Sequence, residues 1–437
     1  MKFIQLLLLI LITFSTQAQG DLATIINSKS EAIENQVVEW RRHLHANPEL
    51  SNREYKTAEY IAKHLRNLGL QIETGMAITG VVGLLDTGRP GPTVALRADM
   101  DALPVRERVD VPFASKVESE YLGKKVGVMH ACGHDSHVAI LMGAAQVLTE
   151  MKDQLTGKIV FVFQPAEEGA PPGEEGGAEL MVKEGIMDKY GIDVFFGLHI
   201  SSGLDVGKIM YKPRGMMAAS DRFVIKVKGK QTHGSTPWTG VDPITVSAQI
   251  IMGLQTIISR QTELTKEAAV ISVGKISGGV RANIIPEECE MIGTIRTLDT
   301  DMQDIVHEKI RTTAVNIAES AGAVAEVDIQ KGYPVTYNHP ELTARMLPTI
   351  EKTAGEENIV VTRPITGAED FSFFAREVPG FFFFLGGKPL DVSQFDAAPH
   401  HTPDFYIDEG GFTLGVRTMC QLVVDYNKSE SATSGSK

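Results

Sequence analysis

Nine residues, MHACGHDSH (Met129–His137), hold one cysteine and three histidines. Elsewhere QPAEEG carries adjacent Glu167 and Glu168, GLH ends in His199, and HHTP carries His400 and His401. Asp99 and Asp101 follow the apolar run TVALRA. A thiolate, imidazoles and carboxylates at one place make a shell for two divalent metals sharing a water, with one group bridging. Metal brings the pKa of water down toward ~7, and a spare carboxylate beside it serves as general base. Adjacent glutamates divide that labour, one as ligand and one for acid–base work. The bland alternatives are solvated glutamates, helix-capping aspartates and loop histidines. A second enzymatic reading makes Cys132 a nucleophile with His134 or His137 as base, which needs a thiolate of depressed pKa. It leaves Glu168, His199 and His401 without a task. A non-catalytic metal-binding protein is the third reading, and it has no use for a spare base.

The elements that would position these groups alternate between strand and helix. TVALRA, KIVFVF (158–163), VFFGLH (194–199) and GFFFFLGG (380–387) read as buried strands, and HVAILMGAAQVL (137–148) as a helix. Ile33, Val37, Trp40 and Leu44 follow helical spacing. Ser51 and Glu54 read as a capping box for a second helix that stops at Gly69. Asp99, Glu167, Glu168 and His199 then fall at strand ends, where open α/β sheets bind ligands. The expected fold is α/β: a helix-covered catalytic domain around a mixed, mostly parallel sheet. From about Ser220, RFVIKVKG and CEMIGTIRT alternate like half-exposed strands, with two helical stretches between and after them. This predicts an inserted smaller α+β domain over 219–335, with 19–218 and 336–426 forming the larger one.

The 437 residues include 43% hydrophobic and 22% charged ones, ordinary for a globular protein of two or three domains. A net charge of -13 without a basic stretch argues against nucleic-acid or anionic-membrane binding. Residues 1–18 read as a secretory signal peptide cleaved after Ala18, which implies an exported, periplasmic or secreted protein with no membrane attachment after cleavage. Cys132, Cys289 and Cys420 are too few and too far apart for a disulfide framework. The polar tail 427–437 is expected to be disordered.

The ordered set RRHLHANPELSNREYKTAEYI, ALRADMDALPV, MHACGHDSH, FQPAEEG, GLH, GVDP, NIIPEECEMIGTIRT, GAEDFSFF and HHTPDF covers nearly the whole mature chain. It resembles the two-metal amidohydrolases of the aminoacylase and carboxypeptidase superfamily, in the branch of hippurate, N-acyl-amino-acid and auxin-conjugate hydrolases. The resemblance implies two divalent metals per subunit, Zn or Mn, with Co or Ni as further candidates. It implies Cys132 as bridging ligand, His134, Glu168, His199 and His401 as the other ligands, and Glu167 as general base and then acid. Asp99 and Asp101 would orient ligand imidazoles, and Asp135 and His137 would only start the following helix. The inserted domain would be a lid and homodimerisation domain. His233 would stabilise the oxyanion, typically in the partner's site, and Asn283 and Arg296 would bind the substrate carboxylate or its neighbourhood. Thr366 and Gly367 would line the pocket. Trp238 stands where relatives often carry a second histidine, and its indole suits stacking on an acyl group. The implied substrates are small N-acyl amino acids or peptides.

Overall fold

The computed structural model describes residues 21–434. The expected signal peptide lies outside the described residues.

An eight-stranded sheet forms the larger body. Its spatial order is Gln71–Met76, Gly80–Asp86, Lys158–Gln164, Thr93–Asp99, Val194–Asp205, Gly380–Lys388, Ile209–Tyr211 and Ile359–Val361. The four central strands, from Lys158–Gln164 to Gly380–Lys388, run parallel to one another, and antiparallel pairings flank them. The strand Thr93–Asp99 is buried at every residue. Its apolar residues Val94, Ala95 and Leu96 reflect cover on both faces, and the buried Arg97 and Asp99 that follow are paired with each other. On one face lie the helices Glu34–Ala46, His134–Glu150, Pro340–Ala354 and Phe412–Ser434, and on the other Gly177–Lys183 and Phe371–Glu377. Helix His134–Glu150 is apolar nearly all round and is accordingly buried nearly all round, between its neighbouring helices and the sheet. Each large side chain buried there contributes roughly 1.5–3 kcal/mol.

The second sheet has four antiparallel strands in the order Ala269–Gly278, Glu288–Thr297, Ala219–Lys228 and Val324–Gln330. Helices Pro243–Thr256 and Thr300–Ser320 cover one face around Phe223, Ile225, Met291, Ile295 and Val306. Burial along Ala219–Lys228 alternates, as period-2 patterning requires.

Three local expectations change. Ser51 and Glu54 do not form a capping box. Ser51 Oγ donates to Asp101 Oδ2 at 2.7 Å, and the buried Glu54 accepts from Thr79 Oγ1 at 2.6 Å and Ala166 N at 2.9 Å. Tertiary partners have taken both side chains from the helix start. His199 does not end its strand, which runs on to Asp205 beside Gly380–Lys388. The tail expected to be disordered stays helical to Ser434, because Tyr426 and Asn427 are buried, Asn427 Nδ2 donates to Thr156 O at 2.8 Å, and Glu430 pairs with Arg345.

Candidate metal centre

A mid-strand residue, His199, and the turns and loops that face it bring Cys132, Glu167, Glu168, His199, Gly367, His400 and His401 around one cavity of 410 Å³. Each arrives by a traceable local cause. Gly133 sits at φ +93°, and a Cβ there would stand 2.3 Å from Ile200 Cγ2, so only glycine turns the chain from Cys132 into the helix that starts with His134. The neighbouring strand stops pairing with the His199 strand at Arg97–Gly197, which leaves His199 beyond its edge. His401 takes the left-handed conformation, φ +64°, and its N–H donates to Ala131 O at 2.8 Å, fastening it beside Cys132. Ala166 is also left-handed, φ +52°, and turns the chain from strand Lys158–Gln164 into Glu167.

Hydrogen bonds sort the histidines. His134 Nδ1 donates to Asp101, to its carbonyl at 2.9 Å and Oδ1 at 3.2 Å, and buried His134 Nε2 has no hydrogen-bond partner. His199 Nδ1 donates to Ile200 O at 2.6 Å, so its Nε2 lone pair faces Cys132 Sγ at 3.4 Å. His401 Nε2 lies 3.3 Å from Cys132 Sγ and 3.0 Å from Glu168 Oε1. Two ligands of one tetrahedral zinc, sulfur and nitrogen, would stand roughly 3.6 Å apart, so these spacings fit. His137 differs: its Nε2 accepts from Ile200 N at 2.7 Å, so its proton is on Nδ1 and goes to Asp99 Oδ1 at 2.5 Å. His400 differs likewise: Nε2 accepts from Ser202 N at 3.1 Å, and Nδ1–H points to Cys132 Sγ at 3.6 Å. Neither has a lone pair to offer. The donor set that fits two divalent ions is therefore Cys132, His134, Glu168, His199 and His401.

The electrostatics fit a cation as well. Burial opposes a charge on His134, but Asp99 and Asp101 outweigh it and hold its pKa up at about 10. Burial together with Glu168, Glu167 and Asp99 pushes the Cys132 thiol well up. A cysteine nucleophile needs the opposite, whereas a bound dication makes a thiolate there. Burial keeps His199 neutral, its pKa well below the ordinary value, as a ligand must be.

Asp101 takes the place expected of it behind His134, and it also accepts from Glu167 N and Glu168 N at 3.1 Å each. Asp99 does not orient one of the five candidate ligands. Its hydrogen bonds go to His137 and Arg97, because His137 lies one helical turn past His134 and turns inward. Of the expected substrate-binding residues, Gly367 lines the cavity, whereas His233, Asn283 and Arg296 do not. His233 is exposed on a two-residue ribbon with Ile284, next to Asn283, and its Nδ1 accepts from Ser235 N at 3.0 Å. Arg296, half-buried in the smaller sheet, bonds Thr294 Oγ1 and, at 3.0 Å, Ile295 O. Thr366 is not among the cavity residues.

Composition did not reveal the support beneath the site. Fully buried Arg97 donates to Gln164 Oε1, Asp99 Oδ2, Glu369 Oε1 and Asp370 Oδ1 at 2.7–2.8 Å. Burial and the carboxylates of Glu369, Glu168 and Asp370 push the Glu167 carboxyl well up. The signal for this support was present in ALRAD and GAED, as a charge inside an apolar strand and an acidic pair before an apolar helix.

Fold and donor set together define a two-metal hydrolase. The model of peptidase family M20/M25/M40 matches residues 95–425, and the chain belongs to that family. It is 40% identical to thermostable carboxypeptidase 2 of Saccharolobus solfataricus over 93% of this chain and 99% of that protein. It is 38% identical to N-acetyl-L-cysteine deacetylase of Bacillus subtilis, over 86% and 85% respectively. The crystal structure of Bacillus subtilis YXEP, described as a dinuclear metal binding peptidase from the M20 family, superposes with a TM-score of 0.75 at 33% identity, covering 91% of this chain and 99% of that one. The chain is accordingly a metal-dependent hydrolase of amide bonds.

Proposed function

We propose that the chain cleaves N-acyl amino acids or small peptides, with two divalent ions held by Cys132, His134, Glu168, His199 and His401. The observation that carries this is the spare carboxylate. Glu167 stands in the cavity with its Oε2 3.8 Å from the free Nε2 of His134, while its neighbour Glu168 lies against His401. Ions held there supply Lewis acidity toward a carbonyl and make water acidic near neutral pH. Glu167 takes the proton that water loses on attack and delivers it to the departing amine nitrogen. Glu167→Gln should retain both metals and lose about 10²–10⁴ in kcat; turnover near wild type refutes the role. The thiolate suits Zn and the carboxylates admit Mn, with Co and Ni as further candidates.

Met217, Ile365, Phe384 and Tyr333, with Ser201, Ala368 and Glu369, form the rest of the cavity wall, which has no lysine or arginine. That disfavours a negative charge on the acyl portion of the substrate. A carboxypeptidase reading shares the same chemistry and draws on the relative of that name; a panel of N-acyl amino acids and dipeptides separates the two. We place the homodimer at the smaller sheet, whose edge strand Ala269–Gly278 exposes Val270 and Ile276. His233 and Asn283 would then serve a partner's cavity.

A further inference from the structure

Glu167 sits on a strained turn. Ala166 occupies the left-handed region at φ +52°, where a residue with a Cβ stays only if its surroundings hold it. Side chains supply that hold. Ala166 N donates to Glu54 Oε1 at 2.9 Å, and Glu167 N and Glu168 N donate to the two oxygens of Asp101. These partners belong to the larger body. One further clamp comes from elsewhere: the Tyr333 hydroxyl donates to the Glu167 carbonyl at 2.6 Å.

Tyr333 belongs to the segment that returns from the smaller sheet to the larger one, between Val324–Gln330 and Thr336–Asn338. That segment lies tightly against the outgoing connection. Ser220 N donates to Tyr333 O at 2.9 Å, and Gly332 N donates to Asp221 Oδ1 at 3.2 Å. A Cβ on Gly332 would stand 2.0 Å from Ser220 O, so only glycine allows this approach. The Tyr333 ring packs edge-on against Phe373 and lines the metal cavity. The phenol therefore ties the backbone of Glu167 to the seam between the two sheets.

We propose that Tyr333 is a positioning residue for this reaction, acting through Glu167 by fixing the carbonyl of its strained turn. The proposal rests on the reading of Glu167 as general base. Tyr333→Phe keeps the ring and removes only the tie. Without it the turn relaxes and the carboxylate is less often in register with the bond it serves, which costs rate more than binding. The test is a double-mutant cycle on the metal-loaded enzyme with Tyr333→Phe, Glu167→Gln and both together. Tyr333→Phe alone should lower kcat roughly 10-fold, with KM and metal content within two-fold of wild type. In the Glu167→Gln background the same change should lower kcat less than two-fold. Equal losses in both backgrounds would overturn the proposal, as would a loss confined to KM or metal content, or no loss at all. A Glu167→Gln enzyme with near wild-type turnover would instead refute the general base itself.

Discussion

Replacing Asp101 by Asn tests whether the metal shell depends on what stands behind it. Both carboxylate oxygens are committed: Oδ1 accepts from His134 Nδ1 and Glu167 N, and Oδ2 from Glu168 N and Ser51 Oγ. An asparagine can keep its oxygen toward His134 and Glu167. Its NH₂ then meets the N–H of Glu168, donor against donor, while the Ser51 hydroxyl can turn and accept. One buried N–H is left without an acceptor, at a cost of about 1–3 kcal/mol, on a residue assigned as a ligand. His134 also loses the negative charge that raises its basicity. With 1.4 kcal/mol per tenfold, metal affinity should fall roughly 10- to 100-fold, the usual range for groups that orient ligands. The assay is competitive titration of the apo-protein against a chromophoric chelator, with thermal melts of both apo-forms to separate folding from binding. Ser51→Ala keeps the charge and should cost much less. An Asp101→Asn affinity within two-fold of wild type, whatever the melting temperature does, would refute the reasoning.

Two further outcomes follow. Burial works against ionisation of Asp221, but hydrogen bonds from His307, Gln303 and Gly332 N–H outweigh it and hold its pKa down. A depressed folded pKa stabilises the smaller sheet above the unfolded value of about 3.9 and is lost as pH falls through the folded value. Melting temperature between pH 7 and 3 should therefore drop less steeply for Asp221→Asn than for wild type, and coincident acid limbs would exclude this carboxylate as a cause. If the partner subunit supplies His233, mixing inactive His233→Ala and Glu167→Gln chains should restore about a quarter of the activity, since random pairing gives half heterodimers and each has one intact site; a mixture as inactive as its components would show that His233 serves its own chain or none.

Much of the larger body was legible because its constraints are local. Buried parallel strands read as apolar runs, and the helix His134–Glu150 reads as one from its composition. The set Cys132, His134, Glu168, His199 and His401 was legible through the resemblance to two-metal amidohydrolases, because singly a loop histidine or a paired glutamate serves ordinary structural purposes as well. Ser51 and Glu54 misled because their spacing suits a helix cap equally well, and only the approach of Asp101, Thr79 and Ala166 decided between the two uses.

The sequence by itself determined which residue types were available, the order in which the strands deliver them, and the family to which they belong. Tertiary structure decided which of them have a lone pair to give. His134 and His137 stand one turn apart on one helix, but Asp101 takes the Nδ1 proton of the first, while Ile200 N occupies the Nε2 of the second. His400 and His401 are adjacent, yet the Ser202 N–H occupies the Nε2 of the first, and the left-handed backbone of the second brings its ring beside Cys132 and Glu168. For His134, His137 and His400 the role follows from the partner of one ring nitrogen, which in each case comes from a distant part of the chain, and for His401 from the turn of its own backbone.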